Sequence, residues 1–262
     1  MEIHCRKKIS DATNFSVLTS THYSNQPTYM KRIFLLGCLL FATGPLFQTL
    51  ADEATRKFKV NAFRGIEVGE AFEVYVQKGP SCSVTALGES SDLNEVEVTS
   101  SGSVLRINKN VKWSFWSKEK KIVLKITMPE LIDSEFSGAT KVFINGFTDE
   151  EQMRLSFSGA SKVEIPEINA DKLVLEFSGA SKADLAGRVG KLEINCSGAS
   201  KLEAKDLIAR DVDVDASGAS KIELNVQKSL KVSASGASKI AYRGRPTIDK
   251  DLSGASFLQS VP

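Results

Sequence analysis

The chain has 262 residues, 42% hydrophobic, 25% charged and 8% aromatic, with a formal net charge of +2. This is an ordinary globular composition, long enough to bury a sizeable core in one large domain or two small ones. The near-neutral balance argues against a nucleic-acid partner.

Residues 1–29 hold His4, His22 and Cys5 among polar residues without a periodic apolar pattern. Met30-Lys31-Arg32 then precedes the apolar run Ile33 to Phe41, the breakers Gly44-Pro45, and Thr49-Leu50-Ala51. A basic start, a short apolar run and small residues at the cut describe a secretory signal peptide over 30–51, so 1–29 reads as a non-native extension from a mis-assigned start. Cleavage is expected after Ala51. The alternative is lipidation of Cys38, because Leu35-Leu36-Gly37-Cys38 resembles a lipobox. The apolar run is too short to span a bilayer, and nothing later in the chain exceeds it.

Cutting after Ala51 removes Arg6, Lys7, Lys8, Lys31, Arg32, Glu2 and Asp11. It leaves 29 basic and 30 acidic residues, a net charge of −1. It also leaves no histidine, and of the cysteines only Cys82 and Cys196. Ser-His, Cys-His and His-ligated metal chemistry are thereby excluded from the mature chain.

Segment 57–130 is strand-like, with alternation in Phe72 to Gln77, Val104 to Ile107 and Ile122 to Ile126. It reads as the irregular N-terminal coils of a larger repeat domain over 52–262. From 131 to 260 the repeat is explicit. Ser-Gly-Ala begins at Ser137, Ser158, Ser178, Ser197, Ser217, Ser235 and Ser253, at intervals of 21, 20, 19, 20, 18 and 18 residues.

Strict alternation precedes each copy and places Phe136, Phe157, Phe177, Cys196, Ala216, Ala234 and Leu252 in one inward row. Apolar residues every second position mean a strand with one buried face. A coil of about 20 residues cannot bury that face alone, so coils must stack. The predicted fold is all-β: a single-stranded right-handed parallel β-helix, or β-solenoid, with coils of about 20 residues. The repeated glycine marks a corner where φ is positive or a Cβ would not fit.

Phe63-Arg64-Gly65-Ile66-Glu67-Val68, Phe72 to Val76, Leu105-Arg106-Ile107, Ile126 to Leu131 and the Ser-Gly-Ala copies occur in an order that resembles the putative auto-transporter adhesin head GIN domain family, over roughly 58–260. The resemblance implies a parallel β-helix at a bacterial surface and gives no catalytic or ligand residues to carry over.

Lys141, Lys162, Lys182, Lys201, Lys221 and Lys239 follow the corners and form a candidate charged surface for an anionic polymer. Glu164, Asp184, Glu203 and Glu223 sit two residues after their lysines, which favours a solubilising charge ladder instead. A Ser-Lys catalytic dyad is disfavoured, because the spacing recurs in every coil.

Glu193 and Asp213 align as neighbours in the row Asp133, Arg154, Val174, Glu193, Asp213, Lys231, Asp249, a spacing open to glycosidase chemistry. Asp211, Asp213 and Asp215 share one strand face and are candidate calcium ligands. Neither is preferred, since Lys231 adjoins Asp213 and no long insertion walls a cleft. No catalytic residue, metal or cofactor is assigned.

Trp113, Phe115 and Trp116 are the first choice for a ligand contact. Cys196 falls in the inward row and is expected as a buried free thiol rather than a disulfide partner of Cys82. The expected protein is a non-enzymatic, exported envelope or secreted adhesion or binding protein, with a glycan or surface protein as partner and no transmembrane segment in the mature chain. A polysaccharide lyase or hydrolase and an envelope scaffold are the alternatives.

Overall fold

The computed structural model describes residues 53–110 and 121–262. The expected signal segment with Ala51 and Cys38, and the cluster Trp113, Phe115 and Trp116, lie outside the described residues.

Among the described residues the N-terminal part comprises β1 (Glu53–Phe58), β2 (Gly65–Val68), β3 (Phe72–Lys78), β4 (Ser83–Glu89), the short helix α1 (Ser90–Asn94), β5 (Val96–Ser101), β6 (Val104–Lys109) and β7 (Ile122–Met128). There follow β8 (Asp133–Phe136), β9 (Lys141–Asn145), β10 (Phe147–Phe157), β11 (Lys162–Gly179), β12 (Lys182–Gly198), β13 (Lys201–Ala216), β14 (Lys221–Ala234), β15 (Lys239–Arg243), β16 (Thr247–Leu252) and β17 (Phe257–Ser260). The chain is a β-solenoid of about six turns with a spacing near 20 residues, as the repeat requires.

Register makes the stacking concrete. From β11 to β12, Lys162 pairs with Lys182, Leu173 with Leu192, Phe177 with Cys196, and Gly179 with Gly198, all parallel. From β12 to β13 the same columns continue through Lys201, Val212 and Ala216. Each coil thus lays its inward residues on those of the coil before, and the backbone groups of one coil bond the next, leaving few polar groups to strand in the core.

The inward Phe row stacks face to face, with Phe136–Phe157 and Phe157–Phe177 ring centroids 5.5 and 5.4 Å apart. Along this column the residues shrink from Phe to Cys to Ala, and the coil intervals shorten over the same stretch. Less interior volume needs less chain to enclose it. The row two residues before the Phe row is buried through Val232, but its last member in register, Lys250, is exposed on β16. Ile132 and Ile248, at the two ends of the next row, are each 39% exposed.

The N-terminal part joins the solenoid in parallel, β2 against β8 and β3 against β9. Beyond it the pattern changes, for β4 runs antiparallel to both β7 and β1, and β5 and β6 form an antiparallel pair. The Arg56 guanidinium ties β1 down by donating to the carbonyls of Leu93 and Val96 at 2.6 and 3.2 Å. Antiparallel strands can close over an end that a further parallel coil would have to extend.

The corner explains Ser-Gly-Ala-Ser residue by residue. Gly198 has φ +98°, and a Cβ there would lie 2.5 Å from the Gly179 carbonyl oxygen of the preceding coil. That oxygen already accepts from the Ala199 N–H at 2.8 Å. The residue after Ala points inward in the first six copies: Thr140, Ser161, Ser181, Ser200, Ser220 and Ser238 are all buried. Most donate back to the carbonyl three residues earlier, as Ser161 does to Ser158 at 3.0 Å and Ser238 to Ser235 at 3.1 Å.

Ser181 and Ser200 make no such bond, and their hydroxyls are buried without a partner. A buried hydroxyl left unbonded costs about 1–3 kcal/mol. Ser200→Ala should therefore raise stability by roughly 1 kcal/mol, whereas Thr140→Ala, which removes the one hydroxyl donation shared between the Glu70 and Ser137 carbonyls at 2.7 and 2.6 Å, should lower it by a similar amount. Urea unfolding of both variants checks this, and a loss at Ser200 would refute the account.

Candidate binding face

After each corner the chain sends alternate residues outward, and parallel register turns that alternation into two columns. The first runs Glu73, Lys141, Lys162, Lys182, Lys201, Lys221, Lys239 and Phe257. The second, two residues on, runs Tyr75, Phe143, Glu164, Asp184, Glu203, Glu223, Ala241 and Gln259. The six predicted lysines are therefore brought into one ladder, with neighbours about 4.8 Å apart.

The acid column holds much of that charge. Glu203 accepts from Lys182 at 2.8 Å and Lys201 at 2.7 Å, and Lys221 reaches Glu223 at 2.6 Å. Hydrogen bonds from Lys182 and Lys201 hold the Glu203 carboxyl down at about 2. Lys239 lies over the Phe257 ring at 4.9 Å. Lys162 is exposed and makes no ion pair among the described residues. This is a mixed-charge surface rather than a polycationic one, which weakens the case for a polyanion held by the lysines alone.

Glu73, Tyr75 and Phe143 belong to the same columns and escaped the sequence reading. Glu73 precedes the first Ser-Gly-Ala copy, so no corner motif marks its place. The available signal was the alternation of Phe72 to Gln77, whose register shows only once β3 is laid on β9. Glu73 is 6% exposed and ion-paired with Lys121 and Lys141, and accepts from the Tyr75 hydroxyl at 2.6 Å. Hydrogen bonds from Lys121 and then Tyr75, opposed by burial, bring its pKa down to about 2.

A carboxylate depressed in the fold adds stability that is fully present above its unfolded pKa near 4.5 and is lost as pH falls through 2. Allowing for screening of the exposed Lys121, Glu73 contributes about 2 kcal/mol of stability at neutral pH. Glu73→Gln should lose that amount at pH 7 and show a correspondingly shallower fall between pH 4.5 and 2. Superimposable acid-unfolding curves would contradict it.

The carboxylate pair expected at Glu193 and Asp213 does sit in register on adjacent coils. Glu193, however, is bridged by Lys191 at 2.5 Å and Lys172 at 3.0 Å, and those hydrogen bonds lower its pKa. Asp211 accepts from Ser229 at 2.5 Å and from Arg210 at 2.8 Å, which likewise lowers its pKa. With Asp211 so engaged, the aspartates lack the converging free oxygens a calcium ion takes. No cluster of potential metal ligands is found among the described residues.

A groove of about 480 Å³ follows the serine corners beside Glu135, Glu176, Asn195 and Asp215, with Glu176 tied to Arg154 at 2.7 Å. Val174, in the outward row, is only 2% exposed. Cys82 and Cys196 are both free thiols, and burial pushes Cys196 up to about 12.

A family model described as "Putative auto-transporter adhesin, head GIN domain" matches residues 62–246. Among solved structures, a putative adhesin from Bacteroides fragilis NCTC 9343 superposes with a TM-score of 0.73 at 24% identity, covering 80% of this chain and 97% of that one. A putative lipid binding protein from Parabacteroides distasonis ATCC 8503 gives 0.63 at 18% identity, with 80% and 97% coverage. A putative adhesin from Parabacteroides merdae ATCC 43184 gives 0.55 at 14%, with 80% and 96%. At these identities the likeness is one of fold. No curated protein matches the chain. Among the described residues, no helix is long and apolar enough to cross a membrane.

Proposed function

The chain belongs to the putative auto-transporter adhesin, head GIN domain family, and on that footing we propose that it is an exported, non-enzymatic adhesion or binding protein of the cell envelope or its surroundings. The observation that carries the reading is the pair of outward columns, in register across the coils and ion-paired at Glu203 and Glu223. Such a face holds many shallow contacts in position at little further ordering cost on binding. From Ser137 to Ser253, among the described residues, the near-constant coil interval leaves no long loop to wall a catalytic cleft. A glycosidase acid must hold a proton at working pH, and Glu193, bridged by two lysines, is poorly suited to do so.

The partner is a glycan or a surface protein, met by the lysine-acid columns and by Trp113, Phe115 and Trp116. Export rests on the signal-like segment 30–51, with Ala51 as the cut and Cys38 lipidation as the rival. Mass spectrometry of the mature N-terminus separates these two, and a chain beginning at Met1 would refute export by this route.

Purified protein is expected to bind saturably to cell surfaces or to members of a glycan array, and the Trp113→Ala/Trp116→Ala variant to bind roughly tenfold more weakly. Binding to neither surface would sink the adhesion reading. Unchanged binding in the double variant would remove the tryptophans from the site.

A further inference from the structure

On the outward side, β7 lies between β3 and β4. There Tyr75 is 39% exposed and stacks on Phe143 with ring centroids 4.8 Å apart and planes 8° from parallel. Its hydroxyl donates to Glu73, so the ring is held at its tip as well as on one face. Phe143 approaches from the β9 side, whereas the opposite neighbour of Tyr75 is Lys125 on β7. The second face of the ring is thus turned toward β7.

On that side lies a hollow of about 420 Å³ lined by Tyr75, Leu87, Gly88, Lys121, Val123 and Lys125. Leu87 and Val123 are cross-strand partners, both half-buried, and give it an apolar patch. The two charged residues among these are lysines. Lys121 is engaged by Glu73, but Lys125 is exposed and makes no ion pair among the described residues.

We propose that this hollow binds one acidic sugar ring, a pyranose bearing a carboxylate, with its apolar face against Tyr75 and its carboxylate on Lys125. The chemistry matches part by part. An aromatic face held rigid suits the C–H face of a pyranose, since no rotamer freedom is lost on binding. The apolar patch of Leu87 and Val123 would be wasted on an inorganic anion, which needs only cations. Among the described residues lining the hollow, Lys125 supplies the cation that makes no ion pair. The volume lies within the range of small-molecule sites. This inference rests on the binding role proposed above and names a ligand class for it.

The test is calorimetric titration of the full-length mature protein with a galacturonic acid trimer and, separately, the neutral galactose trimer. Tyr75→Ala should weaken both by roughly tenfold. Lys125→Gln should weaken the acidic trimer alone and abolish the salt dependence of its binding. Tyr75→Phe keeps the ring and should bind nearly as the wild type does, with thermal unfolding confirming that all variants fold.

Absence of acidic-trimer binding in the wild type, equal affinity in Tyr75→Ala, or equal competition by benzoate would overturn the proposal. Cell-surface binding measured on the same Tyr75→Ala protein separates the two levels. Its persistence with the trimer unbound removes this site and leaves the adhesion role standing, whereas a wild type that binds no surface removes the role itself.

Discussion

Gly198→Ala is expected to destabilise the protein by roughly 3–5 kcal/mol, far more than a single methyl group normally costs. Two effects add. A non-glycine residue at φ +98° pays about 1–2 kcal/mol for its backbone conformation. The new Cβ would also meet the Gly179 carbonyl oxygen at 2.5 Å, and that oxygen cannot withdraw without lengthening its hydrogen bond to Ala199. Gly102→Ala is the matched control, because Gly102 has φ +62° with nothing within 4 Å of its would-be Cβ. It should lose only the backbone part. Equal midpoints for the two variants in denaturant unfolding would show that close approach between coils is not what the glycine column serves.

Phe157→Ala should cost about 3–5 kcal/mol, the other large effect. The ring is 2% exposed and lies between Phe136 and Phe177, so its removal opens a cavity that two stacked rings on rigid, hydrogen-bonded coils cannot close. Cys196→Ala, one step beyond the Phe stack in the same column, should cost only about 1 kcal/mol, since less volume is removed. Equilibrium unfolding of both variants measures the gradient. A Phe157→Ala loss no larger than that of Cys196→Ala would mean that the interior repacks, against the rigid stack described here.

The solenoid was legible because its repeat fixes register. Once Ser178 is aligned with Ser197, Phe177 must fall on Cys196, and once Ser197 is aligned with Ser217, Glu193 must fall on Asp213, and both pairs do. Where the motif is absent, register was not legible. Glu70 occupies the glycine slot of the first stacked corner, at φ 67°. Its backbone lies 3.0–3.2 Å from where a Cβ on Gly138 would be. A corner written Gly69-Glu70-Ala71 does not announce itself as a copy of Ser-Gly-Ala, so the link from Lys141 back to Glu73 was hidden. The antiparallel strands β4 and β1 were equally hidden, because alternation reports a buried face and not a strand's direction.

The candidate face was half visible. The lysine ladder and the pairs Lys201–Glu203 and Lys221–Glu223 within a coil follow from spacing, but the second lysine on Glu203, Lys182, reaches it across coils, which spacing only suggests. The hollow beside Tyr75 is built by β3, β4 and β7, three strands whose adjacency no local pattern encodes.

The glycine column also bears on how such a protein changes length. The surface that Gly198 needs is supplied by Gly179, and the surface it offers is the one Gly218 needs. A duplicated stretch of about twenty codons therefore arrives with both halves of its own fit, and can enter between existing coils without any matching change in them. Each insertion lengthens the outward columns by one rung of about 4.8 Å. Reach is then a trait that selection can alter in whole steps, while a substitution at a single corner is opposed from above and below.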